Sequence, residues 1–108
     1  MKNLKIQYDF AHGPIWKDVF NSGTGKWSTG ISVVDNDKAL SVLDDVAEKE
    51  YSSLYSFDHE GVLHFDNEMY QEKRENLLSL IQTIVLRLND LNDGSFMVID
   101  EETPKLLQ

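Results

Sequence analysis

The sequence predicts a single α+β domain: about five mainly antiparallel strands with two helices on one face, in β-β-α-β-β-α-β order. Three observations predict it. Residues 2–10 alternate with period two, which marks a half-buried strand. Two later stretches repeat with the helical period and begin at Asp or Asn residues suited to capping. Short apolar runs flanked by turn residues separate those helices and follow the second. The chain has 108 residues, 41% of them hydrophobic, enough for one core.

In the first strand, Leu4, Ile6, Tyr8 and Phe10 point one way and Lys5, Gln7 and Asp9 the other. Residues 11–29 form a long irregular stretch around Gly13-Pro14 and Gly23-Thr24-Gly25. Its apolar residues Ile15, Trp16, Val19, Phe20 and Trp27 imply packing onto the body, with a short helix near 15–20. Residues 30–34, Gly-Ile-Ser-Val-Val, read as a second strand. Asp35-Asn36-Asp37 then offers caps for a helix whose apolar stripe is Ala39, Leu40, Val42, Leu43, Val46 and Ala47. Asp37, Ser41, Asp44, Asp45 and Glu48 fall on the opposite, outward face.

Residues 52–57 and 62–66 read as a hairpin about Asp58-His59-Glu60-Gly61, where Gly61 supplies a positive φ. Asp66 or Asn67 caps a long helix to about Leu91. Its apolar face is Tyr70, Leu77, Ile81, Ile84, Leu88 and Leu91, flanked by Leu80 and Val85, and Asn92-Asp93-Gly94 stops it. Residues 95–99 form the last strand, and 103–108 a mobile tail. The last six elements follow the βαββαβ order of the ferredoxin-like arrangement.

The charge is unevenly placed. Residues 35–68 hold ten carboxylates against Lys38 and Lys49, a net −8 of the total −9. Residues 1–34 are net +2 and residues 69–108 net −3. Such a field favours a basic partner and disfavours nucleic acid. The near absence of lysines around the first helix leaves self-repulsion that i,i+4 pairs would relieve. There are no cysteines, so disulfides, thiolate metal sites and Cys nucleophiles are excluded. No signal-like apolar run opens the chain, and no stretch reaches the ~18–20 apolar residues of a membrane span. These features predict a cytoplasmic protein with no membrane association, as a monomer or weak dimer. Leu86, alone on the polar face of the long helix, is the one hint of self-contact.

Catalytic signatures are weak. Gly23-Thr24-Gly25-Lys26 lacks both the upstream glycine of a phosphate loop, where Phe20 stands, and the following Ser or Thr, where Trp27 stands. His59 and His64 lie near Asp58, Glu60 and Asp66, but without the spacing of a metal motif. His12 has no neighbour to activate, and no nucleophile elbow is present. No catalytic residue, metal or cofactor is assigned. Trp16 and Trp27 suit either anchoring of the long loop or protein contact.

The stretch Gly13-Pro14-Ile15-Trp16-Lys17-Asp18, with Thr29-Gly30-Ile31 and the helix start Asp37-Lys38-Ala39-Leu40, carries a resemblance over about the first 45 residues. In these residues and in its small, acidic, Cys-free α+β layout the chain resembles bacterial immunity proteins of contact-dependent growth inhibition and related polymorphic toxin systems. The resemblance implies a protein that binds and neutralises a basic toxin domain, often a nuclease. The contact surface it implies is Asp37, Asp44, Asp45 and Glu48 on the helix, Asp58, Glu60 and Asp66 by the hairpin, and Trp16 as an apolar anchor. A small regulatory or adaptor module of ferredoxin-like type, binding a small ligand, is the alternative.

Overall fold

The period-two pattern at the start of the chain becomes strand β1 (Lys2–Ile6), which buries Leu4 and Ile6. The computed structural model describes residues 1–108. The elements that follow are β2 (Val19–Asn21), β3 (Lys26–Ser28), α1 (Ser32–Asp35), α2 (Lys38–Ser52), β4 (Tyr55–Phe57), β5 (Leu63–Phe65), α3 (Asn67–Leu91), β6 (Phe96–Asp100) and α4 (Thr103–Leu106). The α+β class holds, but the five-stranded antiparallel sheet does not. The strands pair only in twos: β1 with β6 in parallel, and β2–β3 and β4–β5 as antiparallel hairpins.

The reason lies in what each strand can bury. The two hairpins have three-residue strands and no fully buried residue among them. Three-residue strands give little ladder on which a wider sheet could grow, and Tyr55 and Phe65 of the second hairpin pack half-buried against the core instead. The core is built instead on α3, 25 residues and about 38 Å long. Its stripe Leu77, Ile81, Ile84 and Leu88 is fully buried, in one cluster with Leu4, Ile6, Leu40, Leu54 and Phe96.

Local chemistry explains the other departures. The expected strand at 30–34 is a helical turn because Asp35 folds the chain back. Its carboxylate accepts the Thr29 N–H at 3.0 Å, the Thr29 hydroxyl at 2.8 Å and the Gly30 N–H at 3.1 Å. Such local acceptors compete with a strand ladder. The expected helix near 15–20 does not form, because residues 14–16 run beside β1. There the Gln7 N–H donates to Pro14 O at 2.9 Å and the Trp16 N–H to Lys5 O at 3.1 Å. The following residues 19–21 are then strand β2.

Both long helices start at the expected caps. Asp37 accepts the Leu40 N–H, and Asp66 the Met69 N–H. The inward face of α2, however, is Leu40, Asp44 and Ala47, while Val42 and Val46 face solvent. The β4–β5 turn has Gly61 at φ +81, as its sequence predicts. Within the segment expected as a tail, residues 103–106 form helix α4. Asp100 accepts the N–H groups of Glu102 and Thr103 at 3.0 and 2.9 Å, and Leu106 is buried. No helix is long and apolar enough to cross a membrane.

Candidate functional cleft beside the second helix

The loop from Asp9 to Lys17 cannot lie flat on α2, because the Ile15 N–H needs an acceptor where it meets that helix. Asp44 supplies it. Its Oδ1 accepts the Ile15 N–H at 2.9 Å, and its Oδ2 lies 3.0 Å from Lys17 Nζ. Gly13 sits against the same carboxylate, in space that a side chain would fill. Asp44 is only 3% exposed, so the expectation that it lies on the outer acidic face is overturned.

The loop held in this way and the β2–β3 hairpin leave a cleft of about 490 Å³ between them. Asp9, His12, Trp16, Lys17, Trp27 and Glu48 are among its lining residues. A smaller hollow of about 150 Å³ adjoins it, sharing Ile15, Lys17 and Trp27 and reaching Asp37 and Ser41. Trp16 is fixed as one wall: its indole N–H donates to Gln7 O at 2.9 Å, and Lys5 Nζ lies 4.1 Å from the ring centroid. Trp27 is braced by Phe20, with ring centroids 5.1 Å apart, yet stays 58% exposed. Lys17, the one lysine or arginine in the lining, is engaged by Asp44. Glu48 has no hydrogen-bond or ion-pair partner, and Asp9 has no cationic one.

The residues expected to form one contact surface are divided. Trp16 and Glu48 meet at the cleft, and Asp45 is exposed one turn away on α2. Asp37 caps α2 and is clamped by Arg87, with Nη2 and Nε at 2.6 and 3.1 Å. Those guanidinium bonds hold its carboxyl below the usual aspartate range and raise Arg87 in turn. Asp58 accepts the Glu60 and Val62 N–H groups, and its Oδ2 lies 2.7 Å from His64 Nε2. The His64 bond and these amides keep its carboxyl low. Asp66 caps α3, and Glu60 is exposed 3.8 Å from His59. None of Asp58, Glu60 and Asp66 lines the cleft.

Asp9 and His12 escaped sequence reasoning as site residues, because period two assigns Asp9 only to a strand's polar side. Trp27 carried a signal, being one of two tryptophans in a long loop. No group of three or more His, Asp and Glu side chains is placed to hold a metal ion.

A second polar feature lies inside the protein. Tyr8 stacks on Tyr51 at 4.8 Å and 6°, and its hydroxyl donates to Leu77 O at 2.9 Å. Tyr51 and Tyr55 hydroxyls are 3.2 Å apart. Burial pushes Tyr8 and Tyr51 far above the usual tyrosine range. Glu102, 4% exposed, adds its charge to the field on this cluster, and burial raises its own carboxyl. Comparison with protein-family models, curated proteins and solved structures found no match to this chain.

Proposed function

We propose that this protein is an immunity-type inhibitor that binds and neutralises a basic bacterial toxin domain, a nuclease by preference, in the cytosol. One observation carries the reading: the unpaired Glu48 lines a cleft walled by two accessible tryptophans, with exposed Asp45 one turn before it on α2. Tryptophan is enriched at binding hot spots, and unpaired carboxylates beside it select a cationic partner. The contact surface expected from the sequence narrows accordingly to Trp16, Asp45 and Glu48, and Trp27 joins it. The remaining carboxylates act through the field of a chain with net charge −9. An acidic inhibitor of this kind competes with the phosphates that a nuclease cleft binds. The resemblance of residues 13–18, 29–31 and 37–40 to immunity proteins supports the same reading.

The test is growth. The C-terminal domain encoded immediately upstream is expressed inducibly with and without this chain. Toxicity relieved by the chain, and no longer relieved by a Trp27→Ala, Glu48→Lys double variant, supports the reading. Toxicity that persists at full expression of the chain removes it for that partner.

A small-molecule-binding module is the second reading, favoured by the cleft volume, which falls in the ~300–1,000 Å³ range of ligand pockets. A metabolite that raises the melting temperature in a screen, with no effect in a Trp27→Ala variant, would favour it over the inhibitor.

A further inference from the structure

The cleft has a chemistry of its own, separable from the overall acidity of the chain. Its walls are indoles, and its uncompensated charges are the carboxylates of Asp9 and Glu48. An anion would meet those carboxylates with no free lysine or arginine to offset them, since Lys17 is held by Asp44 and the remaining basic group is the imidazole of His12. A purely apolar ligand would strip water from Glu48 and give it no hydrogen bond in return. A cation satisfies both parts of the lining, and an indole face attracts one through its ring quadrupole. Trp16 already takes a cation over its ring, from Lys5, which does not line the cleft.

We propose that this cleft accepts an arginine side chain of the partner protein. The guanidinium is planar and weakly hydrated, so it stacks on an indole, and its fork of N–H donors matches a carboxylate at two points. A lysine ammonium is compact and strongly hydrated and uses the indole walls less well. The Trp16 wall is preorganised by its bond to Gln7 O, and Trp27 by Phe20, so little side-chain freedom is lost on binding. For the partner's identity the inference rests on the inhibitor reading; for the ligand group it rests on the lining alone.

The test needs no toxin. The intact ¹⁵N-labelled protein is titrated with N-acetyl-arginine methylamide, and the Trp16 and Trp27 indole N–H signals are followed. The lysine derivative and the citrulline derivative, which has the arginine shape without its charge, serve as comparisons. Saturable shifts of both indoles with arginine, weaker ones with lysine and none with citrulline are expected. Glu48→Gln and Trp27→Leu, neither of which removes a buried contact, each weaken arginine binding by about tenfold. The proposal is overturned by an absence of saturable shifts, by citrulline acting as well as arginine, or by both variants binding arginine like the parent chain. If arginine does not bind while growth protection holds, the inhibitor reading stands and this inference falls. If arginine binds while protection fails, the cleft stands and its partner is another basic protein.

Discussion

Two adjacent carboxylates, Asp44 and Asp45, should behave oppositely when removed. Asp44→Ala deletes the acceptor for the Ile15 N–H at 2.9 Å and the partner of Lys17 at 3.0 Å. Ile15 is buried, so its amide is left without water or a protein acceptor, a loss of about 1–3 kcal/mol. The Lys17 pair is half exposed on the lysine side and adds only about 0.2–1 kcal/mol. Together these come to about 1–4 kcal/mol, against a total stability of about 5–15 kcal/mol for such a domain. With a urea slope of about 2 kcal/mol/M, the middle of the usual range, the unfolding midpoint should fall by roughly 0.5–2 M at unchanged slope. Asp45 is exposed and makes no hydrogen bond or ion pair, and Asp45→Ala should stay within about 0.5 kcal/mol of the parent chain. Asp44→Asn keeps an oxygen for the Ile15 N–H and loses only the ion pair, so it should fall between the two. Equal midpoints for Asp44→Ala and Asp45→Ala in urea titrations followed by tryptophan fluorescence would refute the role given to Asp44.

Three further outcomes follow from the same contacts. A Gly13→Ala methyl group would occupy the space of the Asp44 carboxylate, so this change should reproduce much of the Asp44→Ala loss in the same titration. Leu106→Ala empties a buried site in α4 and should cost about 2–5 kcal/mol, where a change in a loose tail would cost nothing measurable. Glu102 has a folded-state carboxyl raised above its ordinary value of 4.5, so the folded chain binds its proton more tightly than the unfolded chain. That contribution is present in full below the ordinary glutamate range and is lost as pH rises through the folded value. Glu102→Gln should therefore melt higher than the parent chain at pH 7, with the advantage gone near pH 4. Asp37 and Asp58 work in the reverse sense, contributing above the ordinary aspartate range and losing that contribution in acid.

What the sequence made legible was the local part of the fold. Alternation marks β1, side-chain oxygens at Asp37 and Asp66 mark helix starts, and the α3 stripe matches its buried face. Strand pairing was not legible, because apolar alternation states that a strand is buried and not against what. Leu4 faces Val98, 94 positions away, and the hairpin between residues 55 and 65 has no β-partner beyond itself. The strand expected at 30–34 failed because propensity counts Ile31, Val33 and Val34 but not the three hydrogen bonds that Asp35 accepts. The face of α2 was misplaced for a related reason. Periodicity sends every carboxylate outward and every valine inward, whereas Asp44 is needed inside and Val42 and Val46 are not. At the site, Trp16 and Glu48 were legible by residue type alone. Asp9 and His12 were not, because only the closure of the loop onto α2 brings them to the cleft.

The acidic block is thus two populations of carboxylates with separate consequences for binding. Asp35, Asp37, Asp44, Asp58 and Asp66 accept hydrogen bonds that shape turns, caps and the cleft floor. Of the other carboxylates expected at the contact surface, Asp45 and Glu48 have no hydrogen-bond or ion-pair partner, and exposed Glu60 has only His59 at 3.8 Å. Of these, Glu60 sits at the β4–β5 turn, away from the cleft lining, and acts only through a field screened over about 8 Å at physiological salt. Glu48 sits in the cleft, where an approaching partner removes water and the charge interacts strongly. Replacing Glu60 by Gln should therefore slow association modestly at low salt and leave dissociation unchanged. Replacing Glu48 by Gln should instead speed dissociation, with a much smaller change in association. Surface-plasmon measurements on the two variants at 50 and 300 mM salt separate the two roles. Matching association and dissociation rates for both variants would mean that the acidic surface acts as one undivided field, with no privileged place for the cleft.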